Sequence, residues 1–155
     1  MENFEYKKLV HCEQDYNNWF VVNWCLGNTC NYTCSYCPKA LHDGSNPWPD
    51  VEVIKEFILK VKTQHPNKKF YFEFTGGEVT LYKKFIELCE FCKAHDIRVG
   101  MISNGSRPLR WWREHAHLFD HVCLSFHPER ASPDRYLEVA KRSEEHTSEL
   151  QSQST

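Results

Sequence analysis

Residues 69–78 read Lys-Phe-Tyr-Phe-Glu-Phe-Thr-Gly-Gly-Glu, which combines an alternating pattern with a pair of glycines. Its three phenylalanines alternate with Tyr71 and Glu73, which is the period of two expected of a β-strand. The pair Gly76-Gly77 ends the strand. The phenylalanines are predicted to face helices and Glu73 to face the opposite side, where a hydrogen-bonded structural carboxylate is the favoured interpretation.

Similar segments flank this strand and alternate with helical patterns. Strands are predicted at residues 19–24, 69–74, 97–102 and 121–126, and helices at residues 51–65, 80–94, 108–117 and 133–141. Asp50 and Thr80 are the predicted caps of the first two helices, and Pro108 is placed in the first turn of the third. Strands that alternate with helices indicate an α/β fold with a parallel sheet and about four βα units.

The composition excludes several classes of protein. The chain has 155 residues, and its 19 basic and 21 acidic residues give a net charge of -2. This length predicts one domain, and so small a charge does not suggest the basic surface typical of nucleic-acid or membrane-surface binding. Residues 1–20 contain no continuous hydrophobic run, which excludes a signal peptide, and no segment approaches the roughly 18 apolar residues of a membrane helix. The protein is therefore expected to be soluble and cytoplasmic, with no membrane partner.

Residues 142–155 break the pattern because they are polar and aperiodic. This segment resembles the in-frame translation of a sequencing-library adapter and is interpreted as non-native; a natural disordered tail is the alternative. On this interpretation the natural gene continues past about Lys141, and the chain is a C-terminally truncated fragment. The predicted organisation is an N-terminal extension at residues 1–18, a core at residues 19–141 and a non-native tail at residues 142–155.

A cysteine-bearing loop follows the first predicted strand. Residues 30–37 read Cys-Asn-Tyr-Thr-Cys-Ser-Tyr-Cys, which is the spacing C-x3-C-x2-C. Eight cysteines in a chain without an export signal indicate metal binding or buried thiols rather than disulfides. Three thiolates this close in sequence can reach one compact soft site such as an iron–sulfur cluster. A cubane cluster usually takes four cysteines, so this loop would leave one iron open.

The cysteines also allow two other interpretations. The first is a structural zinc site in which Cys25 or His42 completes four ligands. The second concerns the cysteines outside the loop, which fall on predicted strands or an apolar helix face and are predicted to be buried thiols. These cysteines are Cys12, Cys25, Cys89, Cys92 and Cys123.

The cysteine loop resembles that of the radical SAM superfamily, which carries this spacing after its first barrel strand. Asn28 and Asn31 around the first cysteine, and Tyr36 before the third, also fit the pattern. The motif Gly-Gly-Glu at residues 76–78 is a second match, although Val79 stands where proline is commoner. The resemblance covers roughly residues 20–141.

The resemblance implies a fold and a site. The fold would be a partial TIM-like (β/α)6 barrel, whose active site lies at the carboxyl ends of the strands. Cys30, Cys34 and Cys37 would be the metal ligands and would act in catalysis through a [4Fe-4S] cluster, whose open iron binds S-adenosylmethionine. The implied cofactor-binding residues are Tyr36 near the adenine, Gly76, Gly77 and Glu78 at the methionine amino group, and Ser103, Asn104, Ser125 and His127 at the ribose or the substrate.

The resemblance also implies an activity. One electron from a donor such as flavodoxin or ferredoxin would cleave S-adenosylmethionine reductively, giving methionine and a 5′-deoxyadenosyl radical that abstracts hydrogen from a substrate. The substrate would be a small molecule or a peptide or protein, as in activating enzymes, peptide maturases or deazaguanine-forming enzymes. A structural zinc-binding module and an inactive truncated fragment are the alternatives.

Overall fold

A four-stranded parallel sheet forms the centre of the computed structural model, which describes residues 17–141. The strands β1 (Trp19–Cys25), β2 (Lys69–Thr75), β3 (Ile97–Ser103) and β4 (His121–Leu124) lie side by side in the order of the sequence. In the register, Val22 lies opposite Phe72, and Phe72 lies opposite Val99. The predicted α/β fold, a partial TIM-like barrel with a parallel sheet, is confirmed.

Helices connect successive strands. They are α1 (Val51–Gln64), α2 (Phe85–Ala94) and α3 (Leu109–His115), with 3-10 turns at Lys39–Leu41, Val79–Leu81 and Ala116–Leu118. Residues 133–141, at the end of the described part, are also helical. None of the helices within residues 17–141 is long and apolar enough to cross a membrane.

The starts of α1 and α2 test the two helix caps that were predicted from the sequence. The Asp50 side chain accepts the Glu52 N–H at 2.9 Å, so the predicted cap of α1 is confirmed. Thr80 does not cap α2, because Thr80 lies in the 3-10 turn Val79–Leu81 and the helix begins only at Phe85. The prediction for Thr80 is wrong because the buried Glu78 carboxylate accepts both the Thr80 N–H and the Thr80 hydroxyl, which holds the residue in that turn.

The hydrophobic core lies between one face of the sheet and the helices. Its largest fully buried side chains include Phe70, Phe72 and Phe74 of β2, together with Ile54 and Ile58 of α1, Leu88 of α2 and Trp112 of α3. The alternating β2 positions, Tyr71 and Glu73, are only half-buried on the other face. The period of two read from the sequence thus separates a helix-covered face from a second face of the sheet.

The second face carries a polar contact across three strands. Glu73 accepts a hydrogen bond from the Tyr71 hydroxyl at 3.2 Å, and its carboxylate lies 3.5 Å from Nδ1 of His121. The Tyr71 ring crosses β3 at Gly100, where a Cβ atom would lie 2.0 Å from the Tyr71 hydroxyl oxygen. Glycine is therefore required at this position so that Tyr71 can reach Glu73.

The cysteines outside the loop are split between the two faces. Cys89 and Cys92 are buried on α2, as predicted. Cys25 and Cys123 are exposed, so the prediction that they are buried is wrong. Both lie on the second face of the sheet, which the helices do not cover. Cys12 lies outside the described residues.

Candidate functional site

The cysteine loop curls over the carboxyl ends of the strands. A hydrogen bond from the Cys37 N–H to the Cys34 carbonyl at 3.1 Å closes a turn between the last two cysteines. Cys34 is 4% exposed, whereas Cys30 and Cys37 are half-buried. All three cysteines line one cavity of about 170 Å³. Within residues 17–141, no group of three or more His, Cys, Asp or Glu side chains is arranged to hold a single metal ion.

Asn28 closes the longer segment that contains this loop. The residue is 6% exposed, and its side-chain oxygen accepts the Asn46 N–H at 2.8 Å. Its side-chain nitrogen lies within hydrogen-bond distance of the Ala40 carbonyl at 2.8 Å, Asp43 at 2.9 Å and Ser45 at 3.0 Å. One buried amide therefore joins the two ends of residues 28–46, and these contacts meet its own hydrogen-bonding needs.

The diglycine turn packs directly against the backbone of the cysteine loop. Gly76 has φ of 105° and Gly77 has φ of 51°, and both values lie in the left-handed region that favours glycine. A Cβ atom at Gly76 would lie 2.2 Å from the Gly27 carbonyl oxygen, and one at Gly77 would lie 2.2 Å from that of Thr29. Both glycines are thus required by the close approach of two loops.

Glu78 fastens the diglycine turn to the end of β3. Its side chain is fully buried and accepts hydrogen bonds from the Thr80 N–H at 3.2 Å, the Thr80 hydroxyl at 2.7 Å, the Ser103 hydroxyl at 2.9 Å and the Asn104 N–H at 2.7 Å. These four donors meet the hydrogen-bonding needs of the buried carboxylate. Glu78 therefore acts as an internal anchor, and it is not among the residues that line the cavity.

Two N–H groups converge on the sulfur of Cys30. The Tyr32 backbone N–H lies 3.3 Å from this sulfur, and the Asn104 side-chain amide lies 3.7 Å from it. Asn104 is held in place because its amide also donates to Asn31 at 3.0 Å and accepts the Ser106 N–H at 3.0 Å. Burial raises the pKa of the Cys30 thiol, and the Glu78 charge adds to this, whereas the two N–H donors act in the opposite direction.

His127 forms an aromatic wall beside Cys34. Its Nδ1 atom lies 3.6 Å from the Cys34 sulfur and 2.8 Å from the Tyr36 hydroxyl oxygen. The ring is stacked on Tyr36, with centroids 6.1 Å apart, and meets the edge of Tyr32 at 5.7 Å. Tyr36 remains 54% exposed, so one face of its ring is open to a ligand.

The cavity gathers most of the residues predicted from the sequence. Those that line it are Cys30, Cys34, Cys37, Gly77, Ser103, Asn104, Ser125 and His127. Tyr36, Gly76 and Glu78 are not among the lining residues. Tyr36 and Glu78 hydrogen-bond the lining residues His127 and Ser103, and Gly76 lies in sequence between the lining residues Thr75 and Gly77. The assignment of all these residues, lining or not, to metal or cofactor binding stays a prediction.

Some lining residues were not identified from the sequence. They are Tyr32, Leu41, His42, Thr75 and Ile102, although His42 was considered as a zinc ligand. Thr75 and Ile102 could have been found from their places at the ends of β2 and β3, on the face opposite the phenylalanines. Tyr32 gave no signal apart from its place between two cysteines.

Comparison with known proteins agrees with this arrangement. The profile of the family described as the radical SAM superfamily matches residues 24–149. Over 97 residues the chain is 30% identical to the sporulation killing factor maturation protein SkfB of Bacillus subtilis (strain 168). That alignment covers 63% of this chain and 22% of the relative, so the chain spans less than a quarter of the length of the curated protein it matches.

The family match bears on the boundaries predicted from the sequence. It includes residues 142–149, which were interpreted as part of a non-native tail and which lie outside the described residues. The origin of that tail and the limits of the N-terminal extension stay predictions. The match covers the cysteine loop, the diglycine turn and the ends of β2, β3 and β4 that line the cavity. The chain belongs to the radical SAM superfamily.

Proposed function

We propose that Cys30, Cys34 and Cys37 hold a [4Fe-4S] cluster and that the cavity beside them binds S-adenosylmethionine. The superfamily generally uses both groups. The observation that carries the proposal is that three thiols share one cavity with Gly77 and with residues from the ends of β3 and β4. In a four-iron cluster each thiolate binds a different iron, so three cysteines leave the fourth iron free for a second ligand.

The donor set and the polar surroundings suit this pair of cofactors. Thiolates are the ligands that iron–sulfur clusters prefer, and the N–H groups of Tyr32 and Asn104 can hydrogen-bond the sulfur of Cys30 as a cluster ligand. Ser103 and Ser125 offer hydroxyl groups within the same cavity. These groups can orient the polar parts of a nucleoside and an amino acid, while Glu78 keeps the turn and the end of β3 in place.

The proposed reaction is the reductive cleavage of S-adenosylmethionine. With one electron from a flavodoxin- or ferredoxin-type donor, the cofactor pair supplies methionine and a 5′-deoxyadenosyl radical, which takes a hydrogen atom from the substrate. The chain's contribution is to bind and aim these groups. His127 and Tyr36 form an aromatic surface next to Cys34 that suits a flat purine ring.

We further propose that the substrate is a peptide or protein rather than a small molecule. The support is the 30% identity to a maturation protein over a region that contains much of this chain. The alignment covers 22% of that relative. We therefore expect contacts that select the substrate to come from regions outside the aligned part.

The test of the cofactors is anaerobic reconstitution with iron and sulfide, followed by assay of 5′-deoxyadenosine after reduction with dithionite. We expect about four irons per wild-type chain and measurable cleavage. The Cys34→Ala variant should lose both. The matched control is Cys123→Ala, which removes an exposed thiol of β4 and should change neither.

Three results would contradict this proposal. Equal cleavage by wild-type protein and Cys34→Ala would separate the activity from the cysteine loop. Stoichiometric zinc in a colourless protein would favour the structural zinc module. Four irons without cleavage would support an inactive fragment.

The substrate class has a separate test. Deuterated cell extract is divided into a peptide and protein fraction and a small-metabolite fraction, and each is incubated with the reconstituted enzyme. Deuterium should appear in 5′-deoxyadenosine only with the first fraction, and prior protease treatment of that fraction should abolish it. Deuterium transfer from the small-metabolite fraction would reject a peptide substrate.

A further inference from the structure

Residues 127–130, which follow β4, contact the cysteine loop, and Glu129 and Arg130 do so from outside the cavity. Glu129 accepts the Ser35 backbone N–H at 2.7 Å and also accepts a hydrogen bond from the Ser35 hydroxyl. Ser35 is the residue directly after Cys34. Both oxygens of one carboxylate are therefore directed at a single residue of the loop.

Arg130 makes the corresponding contact on the other side of Cys34. Its guanidinium donates to the Thr33 carbonyl at 3.0 Å and to the Thr33 hydroxyl at 2.7 Å. Glu129 and Arg130 thus hold the two sequence neighbours of Cys34, one through a negative and one through a positive group. Charge-assisted hydrogen bonds of this kind are stronger and more directional than neutral ones.

Residues 127–130 are themselves held in a turn. The His127 carbonyl accepts the Arg130 N–H at 2.9 Å and the Ala131 N–H at 2.8 Å. The same histidine lies against Cys34 and Tyr36 from the cavity side. The loop around Cys34 is therefore contacted by a single four-residue segment, 127–130, which lies more than 90 residues away in sequence.

The internal contacts of the cysteine loop do not replace the contacts that Glu129 and Arg130 make with it. Asn28 joins the ends of the long segment, and the turn between Cys34 and Cys37 fixes the last cysteine relative to the second. Thr33 and Ser35 are exposed, so without Glu129 and Arg130 their backbone would be free to move between other hydrogen-bond partners and water.

We propose that Glu129 and Arg130 are positioning residues that hold Thr33 and Ser35 so that Cys34 stays in place as a cluster ligand. This inference rests on the proposed function, because it concerns retention of the same cluster. Neither residue touches the reacting groups, and both act through the backbone on either side of Cys34. Outer contacts of metal ligands commonly change metal affinity about 10- to 100-fold.

The test compares two double variants of equal charge. Glu129→Ala with Arg130→Ala removes the hydrogen bonds to Ser35 and Thr33. The control, Arg110→Ala with Glu114→Ala, removes an exposed ion pair of 2.7 Å on α3, away from both segments. Two quantities are measured: the rate at which reconstituted protein loses iron to a chelator, and hydrogen–deuterium exchange of residues 33–36 in the metal-free protein.

We expect the first variant to lose iron about tenfold faster than wild type and to exchange faster at residues 33–36, with an unchanged far-ultraviolet circular dichroism spectrum. The conservative pair Glu129→Gln with Arg130→Lys keeps one acceptor and one donor and should restore part of the slow iron loss. The control should match wild type in both measurements.

The inference would be overturned if the variant Glu129→Ala with Arg130→Ala lost iron and exchanged hydrogen at wild-type rates. It would also be overturned if the control, Arg110→Ala with Glu114→Ala, changed both rates as much as that variant does. If the double variant does not fold, Arg130→Ala alone decides, since it leaves the Ser35 contacts intact. A wild-type chain that takes up no iron would instead reject the proposed cluster, and exchange in the metal-free protein would still decide whether the pair holds the loop.

Discussion

The Asn104 backbone N–H donates a hydrogen bond of 2.7 Å to the Glu78 carboxylate, which fastens the end of β3 to the turn after β2. The same carboxylate accepts from the Ser103 hydroxyl at 2.9 Å. Two neighbouring strand ends that line the cavity are therefore held at a fixed separation by one buried side chain.

Replacing Glu78 should destabilise the protein strongly. Glu78→Ala leaves the buried donors of Thr80, Ser103 and Asn104 without a partner, so we expect a loss of about 3 kcal/mol or more in the free energy of unfolding. Glu78→Gln keeps one acceptor oxygen and should be less damaging. Urea unfolding measures both, and a loss below about 1 kcal/mol for the alanine variant would contradict the role of the carboxylate as an anchor.

A side chain at Gly77 should displace the cysteine loop. Gly77→Ala combines a left-handed backbone, φ of 51°, with a Cβ atom 2.2 Å from the Thr29 carbonyl oxygen. We expect a loss of about 2 kcal/mol or more in stability, together with lower iron uptake. Gly44→Ala is the control, because Gly44 has φ of 74° but its nearest neighbour, the Thr29 hydroxyl, lies 3.5 Å away. Equal losses for both variants would mean that backbone strain alone explains the effect.

Gly100 and Tyr71 should be energetically coupled. Gly100→Ala places a Cβ atom 2.0 Å from the Tyr71 hydroxyl oxygen, so the ring must move and its hydrogen bond to Glu73 is lost. We expect a destabilisation of about 1–3 kcal/mol. In the Tyr71→Leu background the same change should cost much less, which a double-mutant cycle by thermal unfolding measures. Additive effects would show that the two residues do not compete for the same space.

The carboxyl group of Glu87 should titrate far below its usual range. Hydrogen bonds from Lys55 and Lys84 lower its pKa to about 2. Because the pKa is lowered in the folded state, the stabilisation is complete above the ordinary carboxyl pKa near 4.5 and is lost as the pH falls toward 2. Carbon-13 chemical shifts of the Glu87 carboxyl between pH 1.5 and 7 follow this titration.

Lys55 provides the matched test of that cause. Lys55→Ala removes the amine that lies 2.6 Å from the Glu87 carboxylate, so the pKa should move back toward the ordinary value. Lys60→Ala removes an exposed lysine of the same helix and should leave the titration unchanged. A pKa that does not respond to Lys55→Ala would assign the shift to another cause.

Asn104 should influence the reduction potential of the proposed cluster. Its amide lies 3.7 Å from the Cys30 sulfur, and an N–H donor favours the reduced cluster because that state carries more negative charge. Asn104→Ala should therefore make reduction roughly threefold less favourable, a fall on the order of 30 mV for one electron. Asn31→Ala removes the other partner of the same amide and is the control. Spectroelectrochemical titration measures both, and an unchanged potential in Asn104→Ala would exclude the effect.

The strands and the cysteine loop could be predicted because they depend on local patterns. The alternation of three phenylalanines on β2 decides which face meets the helices, and the observed strand extends the prediction by one residue, Thr75. The spacing of Cys30, Cys34 and Cys37 is set by one short loop, and their shared cavity follows from its position after β1. Such features need no knowledge of distant contacts.

Features that depend on distant partners could not be predicted. Glu129 and Arg130 look like ordinary surface charges until the fold brings them against Thr33 and Ser35. The exposure of Cys25 and Cys123 depends on what covers the second face of the sheet, and strand pattern does not report this. Thr80 is not a helix cap because the Glu78 carboxylate, which is buried by contacts with β3, holds it in a 3-10 turn before α2.

The closure made by Asn28 has a consequence for how this loop can change over evolutionary time. Since one buried amide meets Ala40, Asp43 and Ser45, the far end of the segment is fixed to its start by a single side chain. Position 40 can then accept other side chains, because Ala40 contributes only its backbone carbonyl, whereas Asp43 and Ser45 contribute their side chains. Diversity at position 40 would leave the sulfur spacing untouched.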